Sequence, residues 1–93
     1  MNISHKENEE RGVFFIEENN EKLAQLVYSK PNSHQIVIEH TEVNKALRGK
    51  DVGFSLVERA VDYAREQHLK IVPLCAFAKA VFERESDFDD VRA

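Results

Sequence analysis

The stretch "ALRGKDVGFSLVERAV", residues 46–61, joins a short basic turn to the start of an amphipathic pattern. From Val52 onward, apolar residues recur at helical spacing, and acidic and basic residues fall between them. That spacing predicts a helix over 52–68 with one buried face. The turn and the helix divide the chain into a strand-rich first half and a mixed second half.

The turn before this helix is a candidate cradle for phosphate groups. The N-terminus of a helix carries unpaired N–H groups and a partial positive charge, and a diphosphate can satisfy both. Gly49 and Gly53 bracket the turn and allow close approach to the backbone, while Arg48 and Lys50 add positive charge. The alternative is structural: Gly49 relieves a tight turn, Asp51 caps the helix, and the basic side chains are only solvated. Spacing alone leaves both interpretations open, because short glycine motifs often match by accident.

The rest of the pattern predicts one mixed β-sheet with helices packed on it, an α/β (α+β) fold. Short runs of β-branched or alternating apolar residues predict strands at 12–18, 21–30, 34–43 and 70–74, although a helix at 21–30 is compatible with its composition. A second helix is predicted at 76–85. The order is β-β-β-α-β-α. The third strand, the first helix and the last strand form a βαβ unit, so these two strands should be parallel, with a right-handed crossover.

Both ends of the chain are polar. Residues 1–11 predict a mobile, solvated leader ahead of a single domain over 12–93. Residues 86–93 predict a polar tail, in which Phe88 and Val91 are possible anchors to the core.

Composition and charge limit the function. The 93 residues are enough for one small domain, and 13 basic against 17 acidic residues give a net charge of −4. This balance argues against a general binder of nucleic acid or of anionic membranes, since both need a basic surface. No apolar run approaches the ~20 residues of a membrane span. The single cysteine, Cys75, fits a reducing compartment, and no Cys/His cluster has metal-ligand spacing. The sequence therefore predicts a cytoplasmic protein.

Three motifs resemble the GNAT superfamily of acetyl-CoA-dependent N-acetyltransferases, and in particular its minimal, single-domain branch. They are the strand end "IEHTEV" (38–43), the loop "RGKDVG" (48–53) and the strand "KIVPLCAF" (70–77), which leads to a cysteine typical of that branch. The loop matches the superfamily pattern Arg/Gln-x-x-Gly-x-Gly/Ala at Arg48 and Gly53. The resemblance covers residues 12–91, and the three motifs together are far more specific than any one of them.

The resemblance implies where coenzyme A would bind. In the family, backbone amides of the loop hold the coenzyme A diphosphate, and the pantetheine arm lies between two parallel strands that splay apart. Pro73 fits such an irregular edge, although it also fits an edge strand with no ligand beside it. Asp51 departs from the pattern, which has glycine there, and its charge would repel phosphate, so we expect weakened but surviving binding. The implied cofactor-binding residues are His40, Thr41, Glu42, Val43, Arg48, Gly49, Lys50, Asp51, Val52, Gly53, Cys75 and Phe77.

Candidates for a general base lie at the end of the strand that precedes the loop. His40 ranks first because imidazole titrates near neutrality, and Glu42 is close by in sequence. Strand alternation predicts Glu39 and Thr41 on one face, with His40 and Glu42 on the other. The alternatives are that the glutamates are solvated and that His40 is a hydrogen-bonded packing residue.

Cys75 is the third catalytic candidate. It stands between a buried strand and the start of a helix, where a thiolate is favoured and could accept the acetyl group in a covalent relay. The alternative is a small buried apolar side chain. The segment 76–85 contains no tyrosine, the residue with which the wider superfamily often reprotonates the departing thiol, so slow turnover is expected.

These features predict an N-acetyltransferase that moves an acetyl group from acetyl-CoA to an amine or lysine acceptor. Two alternatives belong to other functional classes. One is a non-catalytic acyl-CoA-binding module, favoured by Asp51 and by the missing tyrosine. The other is a protein-interaction domain with a vestigial cleft.

Overall fold

Five strands form one mixed sheet in the computed structural model, which describes residues 2–93, and their spatial order is the same as their order along the chain. The first four strands pair antiparallel, and the fourth and fifth pair parallel. The α/β fold class and the parallel βαβ unit are therefore confirmed. The elements are β1 (Ser4–Glu7), β2 (Arg11–Glu18), β3 (Glu21–Ser29), β4 (Gln35–Val43), α1 (Val52–Gln67), β5 (Lys70–Pro73) and α2 (Ala76–Arg84), with 3₁₀ turns at Lys45–Leu47 and Ser86–Val91.

The two helices cover one face of the sheet. The apolar residues that predict α1 are buried against β2, β3, β4 and β5, and they share one core cluster with α2 and the C-terminal 3₁₀ turn. On the other face, Phe15 is buried without belonging to that cluster. The ammonium groups of Lys6 and Lys22 lie 5.5 and 5.1 Å from its ring centroid. Two lysine side chains thus cover Phe15 where no helix does.

The turn between β2 and β3 consists of two asparagines in the left-handed conformation. Asn19 and Asn20 both have positive φ, 51° and 65°. Two successive left-handed residues make the two-residue hairpin turn whose twist matches that of the strands, and asparagine tolerates this conformation better than most residues.

The sequence predicts a mobile leader over residues 1–11. This is wrong for Ser4–Glu7, which pairs with β2 as strand β1. Its polar side chains explain why the pattern misses it. Side chains from elsewhere hold it in place: Glu7 Oε2 accepts hydrogen bonds from the hydroxyls of Tyr28 (2.7 Å) and Tyr63 (2.6 Å). The Tyr28 hydroxyl also lies 2.6 Å from Nε2 of His5.

This cluster shifts the pKa values of its members. Burial alone would raise the pKa of the Glu7 carboxyl, but hydrogen bonds from Tyr63 and Tyr28 and the nearby Lys30 ammonium outweigh it and hold that pKa below its usual range. Burial and the Glu7 carboxylate raise the pKa of Tyr63 to about 12. Burial lowers the pKa of His5, whose ring stacks on a phenylalanine at 4.1 Å. The cluster therefore favours neutral His5 and ionised Glu7 while β1 is docked.

Strand β4 carries one extra residue opposite β3. Residues 27 and 28 of β3 are consecutive, yet they pair with His40 and Ile38, which leaves Glu39 without a counterpart. Such a β-bulge shifts the alternation of side chains by one position. Thr41 consequently faces the helices, as Ile38 does.

The C-terminal segment packs on the sheet rather than extending into solvent. Phe88 and Val91 are buried, as their anchor role predicts. Beyond them, Arg92 forms a parallel bridge with Ile71, and the Ala93 N–H donates to the Ile71 carbonyl (2.9 Å). Within residues 2–93, none of the helices has the length and apolar character needed to cross a bilayer.

Candidate functional site

The loop between β4 and α1 turns the chain through two left-handed residues. Asn44 caps the 3₁₀ turn that opens the loop, and its side chain accepts a hydrogen bond from the Ala46 N–H at 2.9 Å. Gly49 then adopts φ 82° and Asp51 adopts φ 56°. Glycine carries no steric penalty in this region, and aspartate carries less than most residues. With these two residues the loop changes direction and leads into the first turn of α1.

Asp51 does not cap α1 with its side chain, so the structural alternative considered for this residue is wrong on that point. The residue is exposed, and it is the Asp51 carbonyl that bonds to the helix, accepting from the N–H and hydroxyl of Ser55 at 3.0 and 3.1 Å. A left-handed residue directs its side chain away from the position that an extended N-cap would give it. The Asp51 carboxylate therefore leaves the N–H groups of the first turn of α1 open to an external anion.

A groove of about 270 Å³ lies in front of this helix terminus. It joins the loop to the end of β4 and to one face of α2. Its lining residues are Val43, Leu47, Arg48, Gly49, Asp51, Val52, Gly53, Phe54, Phe77 and Arg84. Most of the loop residues predicted from the sequence meet here, whereas Lys50 is exposed beside the groove and does not line it.

Gly53 has a packing role in addition to any role toward a ligand. A Cβ atom on Gly53 would lie 2.7 Å from Cζ of Phe77, so the missing side chain makes room for that ring. Phe77 itself is 42% exposed, and it closes one side of the groove. Phe77, one of the implied cofactor-binding residues, is therefore part of the groove lining.

Three lining residues were not identified from the sequence: Leu47, Phe54 and Arg84. The Arg84 guanidinium lies 6.0 Å from the Phe54 ring centroid, which places a second arginine at the groove besides Arg48. A signal for Arg84 existed, because it follows Phe77 by seven residues and positions i and i+7 share one face of a helix.

Strands β4 and β5 separate beyond the pair Ile38–Pro73. The N–H groups of Leu74 and Cys75 both donate to the Ile38 carbonyl, at 3.0 and 3.2 Å, as the chain turns away into α2. β4 continues to Val43, so its last residues extend past the end of its parallel partner. The result is a gap with an exposed strand edge, adjacent to the groove through Val43.

Cys75 stands at the base of this gap as the N-cap of α2. Its Sγ accepts a hydrogen bond from the Ala78 N–H at 3.4 Å and lies 3.5 Å from Oγ1 of Thr41. Both side chains are half-buried. The thiol thus meets a helix N-terminus and a hydroxyl at the point where the two strands part.

The structure separates the three catalytic candidates. Glu42 accepts a hydrogen bond from Gln25 at 2.8 Å, and its face of β4, opposite Thr41, is the one away from the helices. His40 is exposed on that face. Glu39 lies there too and binds Arg11 at 2.6 Å, so the prediction that it shares a face with Thr41 is wrong, because the bulge at Glu39 interrupts the alternation. Cys75 therefore lies on one side of β4, while His40 and Glu42 lie on the other.

Comparison with known proteins identifies the family. A family model described as GCN5-related N-acetyl-transferase matches residues 13–91. The solution structure of a GCN5-like protein from Staphylococcus aureus is similar over 97% of this chain and 87% of that chain, with 37% identity and a TM-score of 0.72. No curated protein matches.

Larger proteins share the fold at low identity. A ribosomal-protein-alanine N-acetyltransferase from Brucella melitensis is 14% identical, with a TM-score of 0.66, over 83% of this chain and 62% of that one. A GNAT family acetyltransferase from Elizabethkingia anophelis, solved with acetyl-CoA bound, is also 14% identical, with a TM-score of 0.62, over 81% of this chain and 52% of that one. The chain thus spans little more than half the length of these two proteins.

Proposed function

Because the chain belongs to the GCN5-related N-acetyltransferase family, we propose that it binds acetyl-coenzyme A at the groove before α1 and transfers the acetyl group to an amine or lysine acceptor. The observation that carries this proposal is the N-terminus of α1, which opens into the groove with no side-chain cap from Asp51. Such a terminus satisfies a diphosphate with N–H groups and with its positive end.

The residues around the groove fit the coenzyme. Gly49 gives the loop its left-handed turn, and Arg48 and Arg84 supply positive charge on two sides of the lining. The edge of β4 beyond the parallel pairs offers backbone groups to the amide-containing pantetheine arm. Asp51 opposes binding through its charge, but it does so from an exposed position where solvent screens it.

Acetyl transfer requires two proton movements, and we assign them to residues on opposite faces of β4. In the transfer, the acceptor nitrogen bonds to the thioester carbonyl carbon and loses a proton, while the carbon–sulfur bond breaks and coenzyme A takes a proton. We assign proton removal to His40, which is exposed on the outer face, with Glu42 beside it. Cys75 lies on the helix side, where its thiol can give a proton to the departing sulfur. Alternatively, its sulfur bonds to the carbonyl carbon while the bond to coenzyme A breaks and coenzyme A takes the thiol proton; the acceptor amine then takes the acetyl group and the Cys75 thiol is restored.

The site can be tested by following amide chemical shifts during titration with acetyl-CoA. We expect the largest shifts at 40–43, 48–54 and 75–77. The matched control is desulfo-coenzyme A, which retains the diphosphate and should shift 48–54 most strongly. Shifts confined to regions outside these three segments would refute the assignment of the site.

A second candidate function is an acyl-CoA-binding module without turnover. The acidic residue in the phosphate loop and the absence of tyrosine from α2 favour it. Release of free coenzyme A thiol in the presence of a panel of amines separates the two candidates. Binding with amine-dependent release supports the transferase, and binding without release supports the module. A chain that binds no acetyl-CoA would be neither.

A further inference from the structure

Thr41 is the exception in the inward-facing row of β4. The other residues on the helix side of this strand are Ile36 and Ile38, both fully buried, and Val43, which packs against the core. Valine has nearly the shape of threonine and would continue this row. A hydroxyl in its place needs a polar partner, because half-buried polar groups are costly when unpaired.

That partner is the thiol of Cys75. Oγ1 of Thr41 lies 3.5 Å from Sγ of Cys75, across the gap between β4 and β5. The contact exists because the bulge at Glu39 turns Thr41 toward the helices, and strict alternation from Ile38 would have turned it away. The other polar contact of Sγ is the Ala78 N–H, which the start of α2 holds in place.

We propose that Thr41 is a positioning residue that holds the Cys75 sulfur at the gap in both of its protonation states. A hydroxyl is a donor and an acceptor, so it can accept a hydrogen bond from the thiol and, after rotation, donate one to the thiolate. The Ala78 N–H can only donate, so it cannot accept a hydrogen bond from the thiol. This inference rests on the proposed function, in which the Cys75 sulfur must face the thioester bound in the gap.

The test uses the alkylation of Cys75 by iodoacetamide, which reacts with the thiolate. Cys75 is the single cysteine of the chain, so the rate reports on it alone. Wild type, Thr41→Val and Thr41→Ser are compared across pH. Loss of one charge-assisted hydrogen bond should slow the valine variant about 3- to 10-fold near neutral pH. The difference should vanish in strong alkali, where every thiol is ionised, and the serine variant should react within about twofold of wild type.

Two outcomes would overturn the proposal. The valine variant could react like wild type at every pH, or it could be slowed by the same factor at every pH, which would indicate altered access and no role for the hydroxyl. Far-UV circular dichroism and urea unfolding verify that each variant is folded. If the valine variant is not, Thr41→Ala carries the same expectation.

The same variants distinguish failure of this inference from failure of the proposed function. Alkylation is measured without coenzyme, so its pH dependence stands or falls independently of acetyl-CoA binding. A protein that binds no acetyl-CoA but shows the Thr41 effect on alkylation would refute the transferase and retain the contact. A protein that binds acetyl-CoA but shows no effect of the Thr41 substitutions on alkylation would refute the role of Thr41 and leave the proposed function standing.

Discussion

Replacing Asp51 by glycine should tighten the binding of acetyl-CoA. Asp51 is exposed, adopts φ 56° and immediately precedes α1, so its negative charge is close to the helix terminus proposed to hold the diphosphate, although its side chain makes no capping hydrogen bond. The substitution removes one negative charge and leaves a residue that adopts left-handed conformations freely. Because the side chain makes no capping hydrogen bond, the helix loses only the attraction between the carboxylate and its positive end, about 0.3–1 kcal/mol.

The size of the effect follows from the position of the charge. Two unit charges about 5 Å apart repel by about 0.8 kcal/mol in water and by about 3 kcal/mol at an effective dielectric of about 20. Asp51 is exposed, which favours the lower end, while the diphosphate carries two charges. We therefore expect about 1–2 kcal/mol, or an affinity ~5- to 30-fold tighter. Relief of backbone strain and the greater freedom of glycine in the unfolded chain oppose each other, so stability should change by less than about 1 kcal/mol.

Isothermal titration calorimetry with acetyl-CoA measures this effect at low and high salt. Asp51→Asn removes the charge and keeps a side chain that tolerates the left-handed region, so it isolates the electrostatic part. Asp62→Asn is the matched control, because Asp62 is an exposed acid on α1, eleven residues after Asp51, and should leave the affinity unchanged. The ratio between wild type and variant should shrink at high salt. Equal affinities for wild type, Asp51→Gly and Asp51→Asn would refute the reasoning.

Three further predictions concern stability, and urea unfolding measures each. Burial lowers the pKa of His5, so this residue should contribute fully to the free energy of unfolding above pH 6.5, and its contribution should decline as the pH falls below that value. His5→Asn should flatten this pH dependence, whereas the substitution His34→Asn at an exposed position should not. Gly12→Ala would place a methyl group 2.1 Å from Cζ of Tyr28 and should cost about 1–3 kcal/mol, and an unchanged midpoint would contradict the tight packing at this glycine. Phe88→Ala should cost about 3–5 kcal/mol, because Phe88 is only 6% exposed; a surface-like loss below about 0.5 kcal/mol would contradict its role as an anchor.

The periodic elements could be predicted from the sequence because local patterns determine them. The apolar spacing predicts a helix over 52–68, and α1 spans Val52–Gln67. Strand β1 could not be predicted, since its residues carry no apolar pattern. What holds it are hydrogen bonds from Tyr28 and Tyr63, which are 21 and 56 residues away from Glu7 in the chain. Such contacts are visible only after the sheet and α1 have come together.

The candidate site shows a similar division. The glycines and basic side chains of the loop left two interpretations open, and the resemblance to the GNAT superfamily implied the loop residues as a binding site; most of them line the groove. The bulge at Glu39 was not predictable, because it depends on how β4 pairs with β3 and not on β4 alone. Because Glu39 is the extra residue, Thr41 and not His40 lies on the face of β4 that contacts Cys75. The left-handed conformation of Asp51 was equally hidden, since aspartate is also a common N-cap in extended geometry.

The hydrogen bond between Glu7 and Tyr63 has a consequence for the order in which the chain folds. It closes a loop of 56 residues, and the entropy of that closure must be paid before the contact contributes anything. The hairpins of β1 with β2, β2 with β3 and β3 with β4 all close over short turns, so strand pairing does not wait for this contact. The hydrogen bond from Tyr63 forms when α1 docks on the sheet, and a contact made that late affects the rate of unfolding more than the rate of folding.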